Sequence, residues 1–432
     1  MIQNEYAHIL ARRRSRVTSA GHTVNNEELH GSLKPFQREI VKWAVRGQRR
    51  AIWADTGLGK TRMELEWARL SGQTSLIVAP LAVCAQTIRE AQKIDIKCTY
   101  VRNCQEITGP GVWITNYERI QDIEPGLLDA VCLDESSILK NSTGKMRQLL
   151  CSHFANVPAR LACTATPGPN DPEELTNHSE FLGHMTRKNM LATYFKNDGK
   201  THFFVKGHAK KPMAQWLNKW AVALRYPSDL GDENTGYELP DPLIISEIVD
   251  ADIKPAEGEL FAASIGGVQG RSKVRRETID SRINRCVELV QAEPNEPWII
   301  WCGLNEESEK ITKAIPGAVN IHGGLSPEEK AEKLLGFSDG KIKILVTKPQ
   351  IASFGMNWQH CARMIFCGLG DSYEQYYQCI RRCHRFGQNR QVKVHVVVSR
   401  LETEIVTNVK RKQKQSNEII DLMIQQRLLK AA

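Results

Sequence analysis

From Leu33 onward, short apolar runs alternate with stretches of helical periodicity over most of the chain. The runs at 51–54 (AIWA), 75–79, 112–115, 130–134 and 160–164 are short and dominated by apolar residues, the pattern of strands covered on both faces. Between them, 60–70 and 82–93 repeat their apolar positions every three or four residues, which predicts helices. This alternation predicts an α/β lobe with a parallel sheet and helices on both of its faces. The pattern breaks over 177–277, where Gly, Pro, Lys and aromatic residues gather, as in HFFVKGHAKKPMAQWLNKW; this stretch reads as an insertion or bridge with helical pieces. It resumes with a helix over 279–291 and strands at 298–301, 318–321, 342–347, 363–367 and 392–398, a second parallel-sheet lobe. Residues 402–429 read as a charged helix. The expected organisation is an arm at 1–32, a first lobe at 33–176, a bridge at 177–277, a second lobe at 278–400 and a C-terminal helix at 401–432.

The 432 residues are enough for two or three domains at roughly 150 residues each. With 41% apolar and 25% charged residues, each lobe can bury a core. No segment approaches the roughly 20 apolar residues that span a bilayer. At the N-terminus the apolar residues precede the arginines, the reverse of a secretory signal. These features predict an intracellular protein. The net charge of +9 suits a polyanionic partner such as nucleic acid. The basic run Arg12, Arg13, Arg14 and Arg16 fits a phosphate-contacting arm and a solvated face equally well. Twelve cysteines are scattered along the chain, densest at Cys361, Cys367, Cys379 and Cys383. None forms a CxxC pair, so no common zinc pattern is met and the thiols read as reduced packing groups.

The sharpest chemical signal is ADTGLGKT at 54–61, placed between a predicted strand and a predicted helix. In that context glycines let backbone N–H groups curl around phosphate, and the helix N-terminus favours negative charge. Asp55, Thr56, Gly57, Leu58, Gly59, Lys60 and Thr61 form the candidate loop, with Lys60 for the β- and γ-phosphates and Thr61 for Mg²⁺. Ala54 stands where the usual pattern has its first glycine. Asp134 and Glu135 follow the apolar run AVCL, at the strand end where such sheets bind ligands. Asp134 is the candidate Mg²⁺ residue and Glu135 the candidate base for the attacking water. Thr164 and Thr166 in CTATP could hydrogen-bond this acidic pair; a plain Thr-Pro turn explains them as well.

In the second lobe, QCIRRCHRFGQ at 378–388 places Arg382 and Arg385 three apart, on one face of a helix. A guanidinium pair of this kind can neutralise charge on a transferring phosphoryl group; a basic surface face is the bland alternative. TKPQIASFGMN at 347–357, His322-Gly323-Gly324 and Trp301-Cys302 follow strands of the same lobe, where loops bind ligand in open sheets.

Set in order, these segments resemble the ATPase motor of helicase superfamily two, in its Swi/Snf-like branch. LKPFQREIVKW, ADTGLGKT, LIVAPLAVCAQTIRE, ITNYE, LDESS, LACTATPGPNDPEEL, IHGGLSPEEKAEKLLGFSDG, LVTKPQIASFGMNWQHCARMIF and QCIRRCHRFGQ each resemble one motif of that core, over about 33–400. The resemblance implies two RecA-like lobes in tandem, ATP and Mg²⁺ as cofactors, and DNA as partner. Duplex DNA is the first expectation, with single-stranded DNA or RNA as alternatives and the recruiting protein unnamed. It further implies that Gln37 reads adenine, that Gln378 lies beside the nucleotide, that Arg382 and Arg385 are the arginine fingers, and that Gly355 and Asn357 couple the ATP state to DNA. Three departures stand out. The DExx box ends in Ser136-Ser137, so the coupling through a histidine in that box is absent. Gly370-Asp371-Ser372 replaces an Asn-Pro before the arginine helix, and the bridge is short. The expected protein is a compact viral or bacterial translocase that moves on duplex DNA at the expense of ATP. A strand-separating DNA or RNA helicase is the alternative within the class, and a non-motor nucleic-acid-binding adaptor is the alternative outside it.

Overall fold

The computed structural model describes residues 20–199, 202–250, 276–352 and 357–431. The arginine run at 12–16 and Gly355 lie outside the described residues. The chain forms two units: residues up to Thr235 together with those from Gln413, and residues Gly236–Lys412.

The first unit is built on a seven-stranded sheet. Its strands are β1 (Arg49–Ala54), β2 (Thr74–Ala79), β3 (Cys98–Tyr100), β4 (Gly111–Asn116), β5 (Ala130–Asp134), β6 (Ala159–Cys163) and, after a small antiparallel pair β7 (Phe195–Asn197) and β8 (Phe203–Val205), β9 (Ala221–Leu224). The order is β3-β4-β2-β5-β6-β1-β9, and every pairing is parallel. Strands β5 and β6 are buried at every position, which explains why all their residues but Arg160 and the terminal Asp134 are apolar. Helix Pro35–Gly47 leads into β1, and helices Lys60–Leu70, Leu81–Gln92 and Lys145–His153 return the chain between strands. Trp53, Trp216 and Trp220 meet edge to face in the core, with ring centroids 5.6 and 5.4 Å apart.

The second unit has a six-stranded parallel sheet of order β10-β15-β14-β11-β13-β12. Its strands are β10 (Leu243–Val249), β11 (Trp298–Cys302), β12 (Ala318–Ile321), β13 (Ile344–Thr347), β14 (Arg363–Cys367) and β15 (Lys393–Ser399). The helices include Ile279–Ala292, Asn305–Ala314, Pro327–Ser338 and Tyr373–Cys383. Two parallel-sheet α/β units in tandem are the architecture the hydropathy pattern and the motif order imply.

The stretch expected as a bridge at 177–277 divides differently. Up to Thr235 it completes the first unit, with β9 pairing in parallel with β1 (Ala51 opposite Ala221). From Gly236 it belongs to the second, with β10 pairing along β15 (Leu243 opposite Lys393). The C-terminal helix Thr403–Ala431 is also more than a charged tail. From Gln413 on, it docks on the first unit, where Ile419 and Met423 enter the core. Asn218 Nδ2 donates to the carbonyl of Met423 at 2.8 Å, and Arg427 Nη1 donates to that of Ala223 at 3.2 Å.

Candidate active site

The phosphate-loop segment lies in the first unit between β1 and helix Lys60–Leu70. Gly57 and Gly59 hold φ of +89° and +78°, in the left-handed region that a residue with a Cβ enters only at a cost. Gly59 is the residue just before the helix, so its turn aims the free N–H groups of the first helical turn at the loop. Lys60 Nζ folds back on the loop and donates to the carbonyls of Ala54 and Asp55 at 2.9 and 3.4 Å. Asp55 Oδ1 accepts from Thr56 N at 2.6 Å and braces the turn. Leu58 is buried and Thr61 half-buried.

Gln37 is buried at the start of helix Pro35–Gly47. Its Oε1 accepts from Lys34 N and its Nε2 donates to Leu58 O, both at 2.9 Å. The amide thus ties the helix entrance to the loop, a contact that sequence reasoning missed. One N–H and one lone pair of the amide lie beyond these two bonds.

Asp134 ends β5 and Glu135 follows with φ +54°, a left-handed conformation that is strained for a residue with a Cβ. The Asp134 carbonyl accepts from the hydroxyl of Tyr117 at 2.6 Å. Burial, reinforced by the charge of Glu135, raises the Asp134 carboxyl well above the usual range, so a cation beside it would be strongly favoured. Thr164 Oγ1 donates to Glu135 Oε2 at 3.4 Å and accepts from Thr166 N at 3.1 Å. The threonine segment therefore lies on the acidic pair, as one of its two sequence readings had it. The Ser-Ser ending of the box has a partner as well. Ser136 Oγ lies 3.1 Å from His178 Nε2, and both residues are completely buried. The His178 ring meets Trp53 of β1 edge-on at 5.8 Å. His178 reaches Ser136 from helix Leu175–Phe181, 42 residues downstream. Only the fold brings the two together, and no spacing rule would have found them.

In the second unit, Arg382 and Gln378 sit on helix Tyr373–Cys383, both buried. Arg382 Nε donates to the Gln378 carbonyl at 3.1 Å and Nη2 to Gln378 Oε1 at 3.0 Å, so the glutamine orients the guanidinium. Arg385 is half-buried just past the helix, and burial together with the charges of Arg382 and Arg381 pushes it down to about 10. Arg381 turns elsewhere, with Nη1 2.8 Å from His384 Nδ1. His322 is exposed and its Nδ1 accepts from Gly324 N at 3.3 Å, an ordinary turn contact. Trp301 and Cys302 are buried in the core rather than presented to a ligand. Asn357 is exposed.

Residues 281–387 match the family model described as the helicase conserved C-terminal domain. That similarity lies wholly within the second unit. This domain covers the arginine helix and the strands β11 to β14, so the helicase resemblance read from the motifs is borne out. The chain is 23% identical over 467 residues to a putative protein p41 of Acyrthosiphon pisum secondary endosymbiont phage 1, spanning 91% of this chain and 98% of that protein. It is 32% identical over 111 residues to a putative ATP-dependent RNA helicase R290 of Acanthamoeba polyphaga mimivirus, spanning 24% of this chain and 20% of that protein. A SWI2/SNF2 ATPase core of Sulfolobus solfataricus, solved in complex with dsDNA, is similar with a TM-score of 0.45 and 17% identity over 92% of this chain and 95% of that one. Among the described residues no helix is long and apolar enough to cross a membrane.

Proposed function

We propose that this chain is an ATP-driven motor that moves on duplex DNA. The observation that carries the reading is the convergence, in one unit, of the left-handed glycine turn with Lys60, the Asp134–Glu135 pair at the end of β5, and Thr164 against Glu135. The helicase domain in the other unit supports it.

Backbone N–H groups at Gly57–Thr61 would hold the ATP phosphates, with Lys60 exchanging its two carbonyl contacts for phosphate oxygens. Gln37 is positioned to hold the loop and to offer its remaining amide valences to the base. Thr61 and Asp134 present hard oxygen donors of the type Mg²⁺ prefers, and the raised Asp134 carboxyl is a group whose charge a divalent cation stabilises. Bound there, Mg²⁺ would neutralise phosphate charge. Glu135, held by Thr164, would orient the attacking water and take its proton. Arg382, oriented by Gln378, and Arg385 would supply positive charge to the transferring phosphoryl group. The net charge of +9 suits sequence-independent contact with DNA phosphates.

The test is ATP turnover in the presence of duplex DNA, single-stranded DNA and RNA in turn, for wild type and Glu135→Gln. Duplex DNA is expected to give the largest stimulation, and Glu135→Gln to lose about 10²-fold or more of it. Greater stimulation by single strands would turn the reading to a strand-separating helicase. Turnover that no polynucleotide raises would overturn the motor.

A further inference from the structure

Beneath the phosphate loop the first unit holds a second group of ligating atoms, wholly interior and made of residues with no part in the proposed ATP chemistry, though it adjoins Asp134. Glu64 lies one turn past Lys60 on helix Lys60–Leu70. Cys163 ends β6 opposite Asp134, and Cys132 on β5 precedes Asp134 by two residues, so it shares that residue's face of the sheet. One carboxylate oxygen of Glu64 and the sulfurs of Cys132 and Cys163 all lie within 4.8 Å of one another. All three residues are completely buried. Among the described residues this is the only trio of such groups with metal-ligand geometry. The sequence directed attention instead to the dense cysteines at 361–383 and to CxxC spacing, neither of which detects ligands spread over a helix and two strands.

A second observation points the same way. Neither oxygen of Glu64 meets a hydrogen-bond donor of ordinary geometry, although the side chain has no contact with solvent; its polar neighbours are Asp134 and Cys163, themselves acids. A buried carboxyl left in this way is costly unless it holds a proton or a cation.

We propose that Glu64, Cys132 and Cys163 form a binding site for one thiophilic divalent cation of the zinc class. Two sulfurs and one carboxylate oxygen are a donor set this class accepts, and Asp134, the register partner of Cys163, is the candidate fourth ligand. Tetrahedral coordination at metal–sulfur distances of about 2.3 Å separates two sulfurs by about 3.8 Å, so the trio needs only a small contraction. Binding releases the proton of each thiol and sets the cation between the two thiolates and the Glu64 carboxylate. A cation here would share Asp134 with Mg²⁺, but the site itself does not depend on the ATPase reading.

The experiment uses the full chain, chelator-stripped and reduced, without nucleotide. Cd²⁺ is added and incubated until the ultraviolet cadmium–thiolate absorption is steady, and bound metal is then counted after dialysis. Wild type is compared with Cys132→Ser, Cys163→Ser and Glu64→Gln, and far-ultraviolet circular dichroism confirms that each variant is folded. Wild type should retain one tightly held Cd²⁺ that both serine variants lose and that Glu64→Gln binds about tenfold or more weakly. If a serine variant does not fold, the near-isosteric Glu64→Gln decides alone. Undiminished Cd²⁺ affinity in folded Glu64→Gln, or no cadmium–thiolate absorption in wild type, overturns the proposal. Because the readout is metal binding, its failure leaves the motor reading untouched.

Discussion

Gly59 holds φ +78° with Gln37 pressed against it: a Cβ built there would lie 2.3 Å from Gln37 Nε2. Gly59→Ala therefore meets two costs at once, about 1–2 kcal/mol for a left-handed alanine and the loss of the Gln37–Leu58 hydrogen bond. The variant should melt lower than wild type and bind ATP more weakly, as read by thermal unfolding with and without nucleotide; an unchanged melt would show that the turn is not held as described. His178 makes a different kind of prediction. Burial pushes its imidazole down to about 4 from an ordinary 6.5, so the folded state keeps it neutral. The sign follows: the unfolded chain binds this proton first, and stability contributed by the neutral ring is full above pH 6.5 and falls as the pH drops toward 4. The stability advantage of wild type over His178→Gln should therefore shrink by about 2 kcal/mol between pH 7 and pH 5 in denaturant titrations; a pH-independent difference would contradict the assignment. Lys60, Thr61, Asp134 and Glu135 were legible in the sequence because their spacing is local. His178 and Glu64 were not, because each gains its meaning only from residues on other strands and helices.

Among the elements, helix Ile279–Ala292 is fastened to its unit by a charge with no access to water. Arg282 Nη1 meets Glu307 Oε1 at 2.6 Å, and Arg282 Nε lies 3.9 Å from Glu402 Oε2. Glu307 in turn accepts from the backbone of Gly303 and Leu304, and Glu402 from Ser399, so one guanidinium links three segments of the second unit. Arg282→Ala would leave both carboxylates buried without their cation. It should cost about 3–5 kcal/mol in chemical denaturation of the second unit, and a loss below 1 kcal/mol would mean the network is solvated in solution. The strands β3, β9 and β10 were the parallel-sheet elements the hydropathy pattern concealed. In β9 the residues Ala221-Val-Ala-Leu are small and short, flanked by Lys219 and by Arg225-Tyr-Pro. Edge strand β10 carries Ser246 and Glu247 among its apolar residues and leaves Ile248 exposed, unlike the continuously buried strands beside it. Each sits at one margin of its sheet, where only one neighbour is needed and the apolar signal is weakest.

For the molecule as a whole, the candidate site residues are divided by unit. Loop, acids and threonines belong to the first, and Gln378, Arg382 and Arg385 to the second, within the helicase domain. The order of motifs made this division legible in the sequence, while the reach of each unit into 177–277 and into the C-terminal helix needed the fold. The central claim is movement along intact duplex DNA, and displacement of the third strand from a DNA triplex measures it most directly. Wild type with ATP should release the third strand while the underlying duplex stays paired, and Lys60→Ala should release none. Retention of the third strand by wild type, under conditions where duplex DNA raises its ATP turnover, would contradict the account.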